Sequence, residues 1–80
     1  MKKYIIMSVE HSDDFGNPPC FLTMVDTYNE AVEFRNRMIE TALQDFPNQK
    51  VYDDNIGVYD VDENGKVNYS FIIDIEEISI

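Results

Sequence analysis

The sequence predicts an α+β fold: one helix packed on one face of a four-stranded, mainly antiparallel sheet, in the chain order ββαββ. Three observations lead there. The stretch Thr27 to Phe46, TYNEAVEFRNRMIETALQDF, is the only one long and periodic enough for a helix. The stretches on either side are rich in β-branched and aromatic residues that alternate with polar ones. Turn residues separate them: Gly16-Asn17 and Pro18-Pro19 before the helix, Pro47 and Asn64-Gly65 after it.

Taken in order, Lys3 to Glu10 is the first strand, with Ile5, Met7 and Val9 facing one way and Tyr4, Ile6 and Ser8 the other. His11 to Pro19 is a loop. Cys20 to Val25 is a second short strand, most simply hairpinned to the first. Thr27 then caps the helix, and Glu30 three residues later completes a Thr-x-x-Glu capping box. At 100° per residue Tyr28, Ala31, Val32, Phe34, Met38, Ile39, Ala42, Leu43 and Phe46 share one side. Glu33 and Arg37 sit opposite as a favourable i,i+4 pair, and Pro47 stops the helix.

Beyond a turn at Pro47 to Gln49, Lys50 to Asp54 leads into a third strand at about Ile56 to Val61. The Asp62-Glu63-Asn64-Gly65 tip admits two registers. A three-residue loop with Gly65 left-handed sets Val61 by Val67 and Tyr59 by Tyr69, which gathers Tyr59, Val61, Val67, Tyr69, Phe71, Ile73 and Ile75 on a single core face. A two-residue turn would instead set Tyr59 by Ser70. The first register is the expectation. The last strand, Lys66 to about Ile80, changes apolar phase after Ile75, so a bulge at Glu76-Glu77 is expected to return Ile78 and Ile80 to the core. The other sheet face would then carry Tyr4, Ile6, Ile56, Val58 and Ile72. That is too apolar for water and points to a partner or a second copy of the chain, a homodimer.

Composition narrows the function. Eighty residues with 44% apolar content form one small folded domain, residues 1–80. Sixteen acids against six bases give a net charge of −10. Direct binding to nucleic acid or to an anionic membrane is therefore disfavoured; the charge suits a basic protein partner, and equally the plain role of keeping a small protein soluble. Cys20 is the single cysteine, which suits a reducing cytoplasm. The basic start MKKYIIMSVEHS lacks the uninterrupted apolar run and cleavage site of a signal peptide. No stretch reaches the roughly 18 apolar residues of a membrane span.

Candidate sites are few. Asp60-x-Asp62-x-Asn64-Gly65 matches the first half of a calcium loop, a possible calcium-binding hairpin at Asp60 to Asn64. Phe71 stands where such a loop needs its bidentate Glu, and acids before Asn-Gly also make an ordinary hairpin tip, which is the preferred reading. His11 and Cys20 flank one loop, but nothing supplies an oxyanion hole, and no histidine pair, Cys-x-x-Cys or phosphate-binding glycine loop is present. The expectation is a non-catalytic protein with no cofactor and no resident metal. Arg35 interrupts the apolar stripe of the helix. Either its stem packs there, with the guanidinium at the edge or paired with Asp26 or Asp74, or it marks where a partner docks.

The acids gather at strand ends and turns: Glu10, Asp13 and Asp14; Asp53 and Asp54; Asp60, Asp62 and Glu63. A row of carboxylates would imitate a nucleic-acid backbone. In size and charge the chain resembles the small acidic inhibitors of phages and mobile elements, anti-CRISPR and anti-restriction proteins. That resemblance implies a DNA-mimic-like inhibitor or regulator of a nucleic-acid-handling protein. The residues expected to meet such a partner are Asp13, Asp14, Arg35, Asp53, Asp54, Ile56, Val58, Asp60, Asp62 and Glu63.

Overall fold

The computed structural model describes residues 1–12 and 16–80. Its elements are β1 (Lys2–Ser12), β2 (Cys20–Val25), α1 (Tyr28–Asp45), β3 (Lys50–Val51), β4 (Gly57–Val61) and β5 (Val67–Ser79). All five strands pair antiparallel, in the spatial order β2-β1-β5-β4-β3. The α+β class stands, but the sheet has five strands, not four. Lys50 and Val51 pair with Tyr59 and Val58 and add a short edge strand ahead of the hairpin.

The helix forms as its sequence signals require. Thr27 is the N-cap in an extended conformation; the Glu30 backbone N–H donates to Thr27 Oγ1 at 3.2 Å, and that hydroxyl donates to Glu30 Oε1 at 3.0 Å. Phe46 closes the last turn, its N–H donating to the Ala42 carbonyl at 2.8 Å before Pro47 ends the helix. The chain ends meet where β1 begins and β5 ends, with the Met1 amine donating to the Ile80 carbonyl at 2.8 Å.

β1 and β5 are the central pair, and their register runs unbroken from Lys2 opposite Ser79 to Ser12 opposite Tyr69. The expected bulge at Glu76-Glu77 is therefore absent. Ile78 stands opposite Lys3, and Ile80 remains 69% exposed. The same register overturns the expected face of β1. Ile6 lies opposite Ile75, and opposed residues point to the same side, so the even residues of β1 join the odd residues of β5 beneath the helix. Ile6, Ala31 and Ile73 form the buried centre, with Tyr4, Leu22, Val25, Phe34, Met38, Phe71 and Ile75 packed around it. Each fully buried isoleucine contributes about 1.5–3 kcal/mol.

The uncovered face carries Ile5, Met7 and Val9, with Ile72 opposite Val9 and with Phe21 and Met24 opposite Met7 and Ile5. Tyr4, Ile6 and Val58, expected there, are on the helix side; Val58 is 1% exposed. Ile56 is half-buried and sits at the start of β4, where its carbonyl accepts from Ile73 at 2.8 Å.

Two bulges reconcile local turns with this global register. At the β4–β5 tip Gly65 is left-handed (φ 81°) and Val61 opposes Val67, as expected. One extra residue on β5, Asn68, then slips the pairing, so Tyr59 opposes Ser70 instead of Tyr69. Tyr59 is thereby lost to the open face, where its ring lies 4.6 Å from that of Tyr52, and Val58 takes the core position opposite Phe71. Leu22 is the equivalent extra residue on β2. A side chain at position 65 would meet nothing within 4 Å. Gly65→Val should consequently cost only the conformational penalty of a left-handed β-branched residue, more than about 1 kcal/mol, read as a lower melting temperature.

Candidate functional site

The sheet outruns its helix. Thirteen residues of β5 span roughly 43 Å at 3.3 Å each, whereas the 18 residues of α1 span roughly 27 Å. Tyr28, at the helix start, packs edge-on to Tyr4 with centroids 5.8 Å apart, so the overhang falls at the other end, beyond Phe46. There the helix C-terminus, β1, β4 and β5 enclose a cleft of about 150 Å³. Its floor and wall are Ala42, Phe46, Val58 and Phe71; its polar rim is Glu10, Gln49 and Tyr69. The cleft continues outward past Asp60 and Asp45.

Everything polar in this rim is negative or able to accept a hydrogen bond. Burial raises the Tyr69 phenol above its usual pKa, and the neighbouring Glu10, to which it donates a hydrogen bond, and Asp60 raise it further. Gln49 Oε1 is shielded from solvent and has no hydrogen-bond partner. The last turn of α1 carries no basic residue and ends in Asp45, which adds a carboxylate to the negative end of the helix dipole. Among the described residues no lysine or arginine lines the cleft or its outer extension.

The register also brings distant acids together. β1 ends and the β4–β5 tip begins at the same end of the sheet, since Ser12 opposes Tyr69 and Tyr69 opposes Asp60. Glu10, Asp45, Asp60, Asp62 and Glu63 therefore share that end. Asp13 and Asp14 lie outside the described residues. Asp53 and Asp54 do not join the group. They are exposed in the turn between β3 and β4, at the opposite end of β4, where the Asn55 side-chain amide donates to Asn36 Oδ1 at 2.8 Å.

Arg35 is half-buried one turn from both Ala31 and Ile39, and its Nε is shielded without a hydrogen-bond partner. Of its two expected carboxylates, Asp26 is paired with Lys3, and Asp74 opposes Met7 on the sheet face away from the helix. Val58, expected to meet a partner, is instead a wall of the cleft from within the core.

The hairpin tip is built by Asp62, whose Oδ1 accepts from the backbone N–H groups of Asn64 and Lys66 at 2.8 and 3.0 Å. Among the described residues no group of three or more His, Cys, Asp and Glu side chains is placed to share a metal ion. His11 stands on the open face of β1, while Cys20 opposes Ser8 of the other phase, so the two do not face each other. No helix among the described residues is long and apolar enough to cross a membrane.

Sequence reasoning reached Asp60 and grouped Glu10 with the acids, but missed Phe46, Gln49 and Tyr69. The available signal was a helix end with an aromatic residue and an aspartate where lysine or arginine is usual. Comparisons of the chain with protein-family models, with curated proteins and with solved structures return no match.

Proposed function

We propose that this chain is a non-catalytic acidic binding module that docks on a basic protein surface of the kind nucleic-acid-handling proteins carry. It would act there as an inhibitor or regulator of the anti-restriction or anti-CRISPR type. The observation that supports this reading is the gathering of Glu10, Asp45, Asp60, Asp62 and Glu63 at one end of the sheet. Carboxylates concentrated at one end steer a basic partner by their summed field, whereas the same number spread evenly would only solvate the fold. The test is the association rate with a basic partner obtained by co-purification, followed as salt rises. Exposed charges are screened beyond about 8 Å at physiological ionic strength, so association should slow steeply. Asp60→Asn with Asp62→Asn should slow it at low salt without unfolding the protein, and added DNA or RNA should displace the chain. A complex indifferent to salt and to nucleic acid would refute the reading.

A second reading has its own observation. The open face of the sheet exposes Phe21 and Met24 beside the half-buried Ile5, Met7, Val9 and Ile72, a surface suited to a second copy. In the same samples, sedimentation equilibrium at micromolar concentration should then show dimers, and Ile72→Asp should return folded monomers. A wild type that stays monomeric at high concentration excludes it.

A further inference from the structure

We infer that the cleft beyond the helix C-terminus is a socket for one extended cationic side chain, a lysine or arginine presented by the protein partner. The inference rests on the acidic-module reading and specifies which contact within it is specific.

Size comes first. The inner part of the cleft, about 150 Å³, matches a single side chain, and the outer part past Asp60 and Asp45 leads into it. Its lining is divided as a lysine or arginine is divided. The aliphatic stem needs apolar surface, and Phe46, Val58 and Phe71 supply it. The charged head needs acceptors and neighbouring negative charge, and Glu10 and the outlying Asp60 supply those.

Charge complementarity decides the occupant. An anion is opposed by Glu10, Asp45, Asp60 and the helix C-terminus together. A neutral apolar group would fill the floor but leave the surrounding carboxylates without a counter-charge. A cationic head with several N–H donors meets every requirement. Among the described residues none of the chain's own bases lines the cleft. A helix ending in aspartate over an apolar slot breaks the usual rule for capping charges, and such departures are expected where binding demands them.

The experiment uses the intact chain and two matched probes: Nα-acetyl-lysine N-methylamide, and Nα-acetyl-norleucine N-methylamide, which has the alkyl chain without the ammonium. Each is titrated at constant ionic strength while the backbone amide resonances are followed. The lysine probe should produce saturable shifts centred on Phe46, Gln49 and Tyr69, and the norleucine probe should not. Glu10→Gln with Asp60→Asn should weaken the lysine probe about fivefold or more, the two carboxylates each acting at the strength of an exposed pair. The melting temperature of that variant should hold, because glutamine keeps an acceptor for the Tyr69 hydroxyl.

Shifts scattered over all exposed acids, equal shifts with the norleucine probe, or unchanged affinity in the Glu10/Asp60 variant would each overturn the socket. The two readings fail separately. If Asp62→Asn with Glu63→Gln slows a basic partner but the socket variants do not, the acidic module survives without its socket. If the lysine probe binds as described yet no complex with a basic protein depends on salt, the socket survives and the proposed partner class falls.

Discussion

Ile6→Asp is expected to abolish the folded state. Ile6 is completely buried, 0% exposed, beneath Ala31 and beside Ile73. The substitution removes the contacts of a fully buried isoleucine and places a carboxylate in a cluster built of apolar side chains. Burying an unpaired charge is among the few mechanisms that cost more than about 4–5 kcal/mol. A chain of 80 residues has a total stability of roughly 4–12 kcal/mol, so little of the folded form should persist. Circular dichroism should show a lost or broadened thermal transition. Ile72→Asp provides the control. Ile72 opposes Val9 and Gly57 on the open face, where an aspartate can reach water, and its variant should stay folded. If Ile6→Asp folds and melts like wild type, the assignment of the two sheet faces is wrong. The sequence alone suggested the reverse, with Ile6 on the uncovered face.

The second large effect is expected at Gly57. It is buried at the start of β4 and opposes Ile72 across the ladder. A Cβ built there would lie 2.1 Å from the Phe71 carbonyl oxygen and 2.8 Å from the Ile72 Cα. Both obstacles are backbone atoms of the central strand, so no side-chain rotation can clear them. Overpacking typically costs 1–3 kcal/mol, and Gly57→Ala should reach the upper end, about 3 kcal/mol, because β4 must move away from β5. For a domain of this size that corresponds to a fall in melting temperature of roughly 12–24 °C. Gly57→Ala melting within a few degrees of wild type would show that β4 does not approach β5 so closely. Gly65 makes an instructive contrast. Its requirement is a positive φ in open space, and Gly57 needs an absent Cβ in a crowded ladder. The Asn-Gly dipeptide announces the first requirement; the second leaves no local trace beyond a glycine inside a strand.

The helix and its limits were legible from residues alone. Thr27, Glu30 and Pro47 act within one turn of themselves, and capping chemistry does not depend on what lies across the fold. The extent of β2 and the left-handed Gly65 were legible for the same reason. The α+β class followed from one long 3.6-residue pattern among alternating ones. Sequence also placed Asp60 and Glu10 at strand ends.

What only the tertiary structure decided is how β1 meets β5. These strands are neighbours in space and far apart in the chain, so no turn sets their register, and a slip of one residue exchanges the faces of every side chain. That register put Ile6 in the core and left Ile5, Met7 and Val9 outside. Relayed across β5 to β4, and adjusted by the bulge at Asn68, it also put Val58 under the helix and Tyr59 on the open face. It brought the β1 end and the β4–β5 tip to one end of the sheet, which is why Glu10 and Asp60 flank the same tyrosine. The cleft between them exists because a strand advances about 3.3 Å per residue and a helix only 1.5 Å, so a sheet of these strand lengths cannot be covered by a helix that ends at Asp45.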